Sequence, residues 1–371
     1  MTQNPPRILV VRLGAMGDIV HALPAVASLK QGFPGAHLTW VVEPQWAVLL
    51  EGNPFVDRVI LLRRRDAAGL LASWRELRSA GFDFAVDFQG LLKSAVVAAA
   101  ARPERIFGWD RGQLREAAAG VFYTNRASSA AAHVVDRNLD LAAAAGAAHA
   151  VRVFPLPAGR PEGPLPDGAF VLASPLAGWR AKQWPFENYL VLARLLMREC
   201  SLPLVLNAPP GSCVIVGRLD TLTDESVCPT LPSKDLQARG SGAFACQQTP
   251  SQLPAASHGT PAGVWPHACG LPGLIDATRR AAAVVGVDSG PMHLAAALGK
   301  PGVALFGPTD PARNGPYGDS LRVLRGPGAV TTYKRIDAID ESMRRITPEE
   351  VFDSLRAALG CAHGSDGCVA G

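Results

Sequence analysis

The chain has 371 residues, of which 48% are hydrophobic and 18% are charged, and its formal net charge is +4. This length suits two domains, and the composition is that of a soluble globular protein. The small positive excess fits an anionic substrate or membrane surface and is too weak for a nucleic-acid-binding protein. Seven cysteines show neither zinc-site nor disulfide spacing, so we expect reduced thiols in a cytoplasmic protein. No apolar run reaches spanning length, so we expect any membrane contact to be peripheral.

Strand and helix patterns alternate through the first half of the chain, which predicts a parallel, doubly wound sheet. The predicted strands are 7–13, 37–42, 58–62 and 82–88, and the predicted helices are 18–32, 67–80 and 91–101. We assign residues 1–154 to an N-terminal domain. Residues 155–168 carry five prolines, which favours a linker.

The alternation restarts after the linker, and we assign residues 169–346 to a second domain of the same kind. The predicted elements are strands 169–174, 202–206 and 283–287 and helices 186–199, 271–282 and 348–359. We expect the last helix, within a C-terminal segment 347–371, to pack back across the linker. Residues 208–270 break the pattern, and two explanations stay open: a disordered insertion, or a segment scrambled by a reading-frame error.

The most informative motif follows the predicted strand 283–287. Asp288, Ser289 and Gly290 form a sharp turn before a helix that contains His293. Ser289 suits the N-cap of that helix, and backbone N–H groups at a helix start receive phosphate. A neighbouring carboxylate could also hold sugar hydroxyls, so the motif indicates a nucleotide-sugar site.

A second motif, residues 11–24, leads from the first strand through Gly14 and Gly17 to Asp18, which we expect to open a helix. It is not the glycine pattern of a dinucleotide-binding site. Asp18 is either a plain N-cap or a carboxylate that takes a proton from an attacking hydroxyl at a cleft. We expect His21, one turn later, to serve helix packing.

Three further segments carry candidate groups. Asp87, Gln89 and Lys93 follow a strand and suit either a polar anionic acceptor or ordinary strand-end capping. Lys182 lies in a loop where a cation could offset charge on a leaving diphosphate, or it is a surface lysine. In the loop 307–318 we expect Thr309 to touch a ligand and Asp310 to serve the turn. No metal-ligand cluster occurs, so we expect no obligatory metal, with a divalent cation at most stimulatory.

Taken together in this order, the segments RLGAMGDIVHALPA, DFQGLLKSA, AKQWP, VDSGPMHLAAALGKP and GPTDP resemble the ADP-heptose:lipopolysaccharide heptosyltransferase family (glycosyltransferase family 9), and within it heptosyltransferase I. The resemblance implies an α/β protein of the GT-B type, with two Rossmann-like domains that face a cleft. It implies inverting transfer of heptose from ADP-heptose to the Kdo region of the lipopolysaccharide inner core, with Kdo-lipid A as acceptor. It also implies action at the cytoplasmic face of the inner membrane.

The resemblance also implies roles for residues. Asp18 would be the general base, and Lys182 would stabilise the diphosphate of ADP. The implied sugar-donor contacts are Asp288, Ser289, Gly290, His293, Gly17 and Thr309, and the implied acceptor contacts are Asp87, Gln89 and Lys93.

Other interpretations of the sequence stay open. One is a heptosyltransferase II-like enzyme or another member of the family with a different acceptor. Another is a degenerate, non-catalytic ADP-binding homologue, because of residues 208–270. A nicotinamide-dependent oxidoreductase is disfavoured, since no G-x-G-x-x-G follows the first strand.

Overall fold

The structure, a computed structural model, describes residues 5–211, 263–332 and 334–360. Two six-stranded sheets, each entirely parallel, organise these residues. The strands of the first sheet are β1 (Arg7–Val11), β2 (His37–Val42), β3 (Arg58–Leu61), β4 (Phe84–Asp87), β5 (Arg105–Trp109) and β6 (Asn125–Ala127). Its helices are α1 (Met16–Gly32), α2 (Ala67–Ala80), α3 (Leu92–Ala100) and α4 (Val134–Ala144). We call this part of the chain the N-terminal lobe.

The C-terminal lobe repeats this plan. Its strands are β7 (Val171–Ser174), β8 (Leu204–Ala208), β9 (Val264–Ala268), β10 (Ala283–Val287), β11 (Gly302–Phe306) and β12 (Leu321–Arg325). Its helices are α5 (Phe186–Cys200), α6 (Leu271–Arg280), α7 (Gly290–Ala297), α8 (Pro311–Asn314), α9 (Glu341–Arg344) and α10 (Pro348–Ala358).

The two sheets share one strand order. The first runs β3-β2-β1-β4-β5-β6, and the second runs β9-β8-β7-β10-β11-β12. In the first sheet, β2 and β3 are added on one side of β1, and β4 to β6 are added on its other side. The strand order changes side in the same way between β7 and β10 in the second sheet. Ligands of open α/β sheets bind at such switch points, outside the carboxyl ends of the strands. The fold therefore provides two crevices, one in each lobe.

Apolar strand sequences explain why both faces of the sheets are covered. In β1, Ile8 and Val10 face one hydrophobic core while Leu9 and Val11 face another, and all four are fully buried. Parallel strands buried on both faces read as continuous apolar runs, as these do. The predicted doubly wound architecture is confirmed.

Two expectations about the C-terminal lobe need correction. The edge strand β9 lies within the segment 208–270 that we set apart as irregular, and it pairs with β8. Residues 212–262 of that segment lie outside the described residues. The last helix, α10, packs on α5 and β11, and Phe352 and Leu355 join the core of the C-terminal lobe. The expectation that it returns across the linker is wrong, because its apolar face is buried within its own lobe.

The segment predicted as a linker is bonded along its length. Asn53 Nδ2 donates to the carbonyl of Pro155 at 3.2 Å, so the N-terminal lobe holds that residue. The next carbonyl, that of Leu156, accepts from Arg279 in α6 at 2.8 Å. Farther on, Glu162 accepts the backbone N–H of Gly270 at 2.6 Å. From Leu156 onward the segment therefore lies against the C-terminal lobe.

Candidate active site between the lobes

The first turns of α1 and α7 meet where the two crevices face each other. The α-carbon of Gly17 approaches the ring of His293 so closely that a β-carbon there would overlap it. A β-carbon on Gly290 would lie 2.8 Å from that of Met16. One glycine on each helix thus lets the two N-termini pack together. Helix N-termini carry partial positive charge, so this junction suits an anion.

Asp18 stands at the third residue of α1, and the N-cap is Ala15. The expectation that Asp18 opens the helix, or serves as its N-cap, is therefore wrong. Its Oδ2 accepts the N–H of Ala15 at 3.2 Å, and its Oδ1 lies 2.6 Å from Nη2 of Arg12. The side chain is nevertheless 46% exposed. Two contacts thus fix the carboxylate while leaving it open to a substrate.

Arg12 is a site residue that sequence inspection missed. It directly follows the buried strand β1 and is itself buried. Besides pairing with Asp18, it donates from Nη1 to the carbonyl of Phe88 in the loop after β4. The signal available in the sequence was a charged residue placed at the carboxyl end of a continuous apolar strand.

Asp87 does not reach the crevice. It is fully buried, and its oxygens accept from Ser94 Oγ at 2.8 Å, Tyr123 Oη at 2.7 Å and the N–H of Gln89 at 2.9 Å. Burial raises the pKa of this carboxyl, while these hydrogen bonds act in the opposite direction. The expectation that it contacts the acceptor directly is wrong, because both oxygens are occupied inside the lobe. Asp87 instead shapes the turn at Gly90.

Gln89 and Lys93 lie nearer the surface. The Oε1 of Gln89 accepts the N–H of Leu13 at 2.9 Å, which joins the loops after β1 and β4. Lys93 is exposed, and its Nζ lies 3.8 Å from Glu43, which also pairs with Arg64. Lys93 therefore offers a cation beside the N-terminal crevice, whereas Gln89 braces the loop.

On the opposite side of the junction, Asp288 and Lys182 form an ion pair. Nζ of Lys182 lies 2.6 Å from Oδ2 of Asp288, and the same oxygen accepts from Thr309 Oγ1 at 2.7 Å. Lys182 also lies 4.6 Å from the ring centroid of Trp179. Three residues separated by up to 127 positions are thus brought together, and Thr309 holds the carboxylate.

Ser289 is the N-cap residue of α7, but its hydroxyl makes no cap hydrogen bond. The expected side-chain cap is therefore absent. Its Oγ is buried and has no partner within the described residues. An unpaired buried hydroxyl is costly, so Ser289 and the N–H of Gly290 present unused hydrogen-bonding capacity at a helix start.

Two buried histidines connect the lobes. His21 Nε2 lies 3.0 Å from His293 Nδ1, while His293 Nε2 lies 3.8 Å from Asp288. Burial lowers the pKa of His293 to about 4, and burial also lowers the pKa of His21. Both rings are neutral at pH 7, so one donates to the other. His21 therefore serves helix packing, as expected, and its partner is a residue of the other lobe.

A second contact between the lobes forms at Tyr317, in the loop after β11. Its hydroxyl donates to Asp136 at 2.8 Å and accepts from Arg152 at 3.0 Å. Its ring packs against that of His133, with centroids 4.9 Å apart. In the same loop, Asp310 caps the N-terminus of α8, which agrees with the turn role expected for it.

Neither a metal cluster nor a membrane span is found in the described part of the chain. No three His, Cys, Asp or Glu side chains there come together in a way that could hold a metal ion. Among the helices of residues 5–211, 263–332 and 334–360, none has the length and apolar character needed to cross a bilayer.

The sequence profile of glycosyltransferase family 9 (heptosyltransferase) matches residues 70–238 and 248–338. The chain belongs to this family. Lipopolysaccharide heptosyltransferase 1 of Pseudomonas aeruginosa is 30% identical to it over 339 residues, which cover 85% of this chain and 82% of that protein. The protein of the same name from Escherichia coli K12 is 29% identical, over 86% of this chain and 94% of its own length.

Solved structures agree with this family 9 assignment. The E. coli heptosyltransferase WaaC with ADP superposes with a TM-score of 0.69 at 25% identity, and the alignment covers 95% of this chain and 99% of that one. The two Rossmann-like lobes of this family 9 glycosyltransferase form the GT-B fold that its motifs implied.

Proposed function

We propose that this glycosyltransferase moves a heptose from ADP-heptose to the Kdo region of the lipopolysaccharide inner core, with Kdo-lipid A as acceptor. The support comes from relatives named lipopolysaccharide heptosyltransferase 1 and from a neighbouring structure with ADP. The observation that carries the proposal is the junction of α1 and α7. There an exposed, oriented carboxylate from one lobe faces an anion-binding turn from the other.

On the acceptor side, Asp18 takes the proton from the attacking hydroxyl. The hydroxyl oxygen forms a bond to the anomeric carbon while the bond from that carbon to the diphosphate oxygen breaks, so the centre inverts. Arg12 and the N–H of Ala15 keep Asp18 in one orientation. A positioned base of this kind contributes about 10²–10⁴-fold to the rate. Lys93 supplies a positive charge to an anionic acceptor beside the crevice.

On the sugar-donor side, Lys182 and the start of α7 stabilise the charge that develops on the departing ADP. The hydroxyl of Ser289 and the N–H of Gly290 supply hydrogen bonds to the diphosphate, and Gly17 lets the start of α1 approach the same pocket by packing against His293. Asp288, held by Thr309, accepts hydrogen bonds from heptose hydroxyls. Neutral His293 lines the same pocket and can donate or accept without adding charge.

Two further parts of the proposal concern conditions and place. We propose that catalysis needs no protein-bound metal, because Lys182 and a helix start supply the positive potential. Turnover should then survive EDTA, with divalent cations at most stimulatory. We also propose that the enzyme works at the cytoplasmic face of the inner membrane, in peripheral contact with it.

The test is a product assay with ADP-heptose and heptose-deficient lipopolysaccharide, followed by mass spectrometry. Asp18→Asn should lower kcat by about 100-fold or more, since the amide cannot take the proton. Binding of ADP, measured by calorimetry, should be retained. Asp340→Asn is the matched control, because Asp340 caps α9 through its side chain and asparagine is an equally good cap.

The outcomes separate the candidate functions. Full turnover in Asp18→Asn would exclude Asp18 as the base. A wild-type protein that binds ADP but forms no product from any heptose acceptor would be the degenerate homologue. Transfer only to an acceptor that already carries heptose would indicate a type II activity.

A further inference from the structure

Large apolar side chains are concentrated on one outer surface of the N-terminal lobe. Of the eleven such side chains exposed among the described residues, six lie there, between 41% and 67% exposed: Leu70, Leu71, Trp74, Leu92, Val96 and Val121. They belong to α2, α3 and the short helical turn Ala117–Val121, which pack side by side. The inner sides of these elements share one core, so their outer sides face the same way. We call these six side chains the outer face.

The outer face is bordered by positive charge. Residues 63–78, which lead into and form most of α2, carry five arginines and two carboxylates. Both carboxylates are engaged, since Asp66 caps α2 and Glu76 pairs with Arg58 at 2.8 Å. The guanidinium of Arg78 lies 5.1 Å from the ring centroid of Trp74. Exposed apolar side chains and arginines therefore occur together in this segment.

We propose that the outer face docks onto an anionic lipid bilayer, with its apolar side chains entering the headgroup region. Contiguous exposed apolar patches on soluble proteins mark interaction sites. A helix that combines Leu and Trp on one side with flanking Arg has the composition of an interfacial helix. Arginines are attracted to an anionic leaflet, which favours a charged bilayer over a neutral one.

The place of the outer face in the fold also fits a bilayer. Arg64, just before α2, and Lys93, in α3, both pair with Glu43, whose N–H donates to the carbonyl of Leu13 at 3.0 Å. The surface therefore adjoins the carboxyl end of β1, where the N-terminal crevice begins. Docking there would hold that crevice next to lipid. This part of the inference rests on the proposed function, in which the acceptor is linked to lipid.

The test is flotation of the full chain with vesicles of phosphatidylcholine, with and without phosphatidylglycerol. The wild type should float with the anionic vesicles and much less with the neutral ones. The variant Leu70→Ser/Leu71→Ser/Trp74→Ser should bind at least about tenfold more weakly, since three partly inserted side chains are lost. The matched control is Val153→Ser/Met197→Ser/Val323→Ser, which removes three exposed apolar side chains elsewhere and should float like the wild type.

Transfer assays complete the design. The α2 variant should lose activity on an acceptor embedded in vesicles while keeping it on a water-soluble, deacylated acceptor. Equal flotation of variant and wild type would overturn the inference. Equal loss of activity on both acceptors would also overturn it, because the outer face would then be an acceptor-binding surface. Conversion of a dimer to a monomer would overturn it as well, because the outer face would then be a subunit interface. Flotation of a wild type that transfers no heptose would leave the inference standing and defeat only the proposed function.

Discussion

At the scale of single residues, Arg12 explains how an exposed carboxylate keeps one orientation. The guanidinium is buried at the end of β1 and bonds to both Asp18 and the carbonyl of Phe88. Its planar fork can serve two acceptors at fixed angles, which the single ammonium group of lysine cannot do. Arg12 therefore couples the base on α1 to the loop that follows β4.

We predict that Arg12→Lys lowers kcat by about tenfold to 100-fold, because small displacements of a reacting group have effects of that size. KM for ADP-heptose should change little, since Arg12 lies on the other side of the junction. Arg12→Ala should lose more activity and regain part of it when guanidinium is added. Steady-state kinetics check the first result, and added guanidinium separates orientation of Asp18 from a general loss of folding. Unchanged kcat in Arg12→Lys would contradict the proposed role.

Residues that carry a motif were predictable, and residues that act across space were not. Asp18, Lys182 and Asp288 lie in patterned segments that follow strands, so a common place for them was expected. The contacts of Asp87 could not be foreseen, because Tyr123 lies 36 positions away and closes the carboxylate off from the crevice. The pairing of His21 with His293 spans 272 positions and depends on how the lobes face each other.

At the scale of elements, the meeting of α1 and α7 depends on the absence of side chains. In most helices, replacing glycine with alanine favours the helix by about 1 kcal/mol. At Gly17 that gain is opposed, because the ring of His293 is held by His21 and cannot move aside freely. The junction therefore tolerates a less favourable helix residue in exchange for close approach.

We predict that Gly17→Ala lowers kcat/KM by about tenfold or more, because the added methyl group separates the two helix starts by part of an ångström or more. The melting temperature should stay within a few degrees, since the methyl group also favours α1. Steady-state kinetics and thermal unfolding measure the two effects. Gly112→Ala is the control, because a β-carbon there meets no heavy atom within 4 Å. Wild-type kcat/KM in Gly17→Ala would show that the helices need not touch.

Most elements were predictable because their apolar periods are strong. The bounds of β1, β4 and β7 shifted by only a few residues from those expected. Strand β9 was missed because Pro266 lies in its middle, and proline is atypical of strands. It is tolerated here since β9 is the last strand of its sheet and needs to pair only with β8.

At the scale of the whole molecule, the buried histidines make stability depend on pH. The pKa of His293 in the folded protein is about 4, below its ordinary value near 6.5, because burial disfavours the charged ring. Between these two values the unfolded chain binds a proton that the folded protein does not. The contribution of His293 to the free energy of unfolding is therefore complete above pH 6.5 and is lost as the pH falls toward 4. His21, whose pKa is lowered in the same direction, adds to the effect.

We predict that the free energy of unfolding falls between pH 6.5 and pH 5, and that His293 contributes about 1.4 kcal/mol per pH unit to this fall. His293→Gln should show a shallower fall, because one of the histidines whose pKa is lowered by burial is gone. Urea unfolding at several pH values measures the slopes. His149→Gln is the control, since it makes the same substitution at an exposed position. Equal slopes in all three proteins would mean that His293 accepts a proton in the folded state.

The passage of the chain between the lobes has a mechanical consequence. Pro155 is bonded to the N-terminal lobe and Leu156 to the C-terminal lobe, so the backbone changes partners across a single peptide. The join acts as a hinge point and not as a flexible linker, because no unbonded residue lies between Pro155 and Leu156. Opening the enzyme to admit a nucleotide sugar would then swing one lobe about this point, and Tyr317 would stay close to the axis, since its ring centroid lies 5.9 Å from that of Phe154.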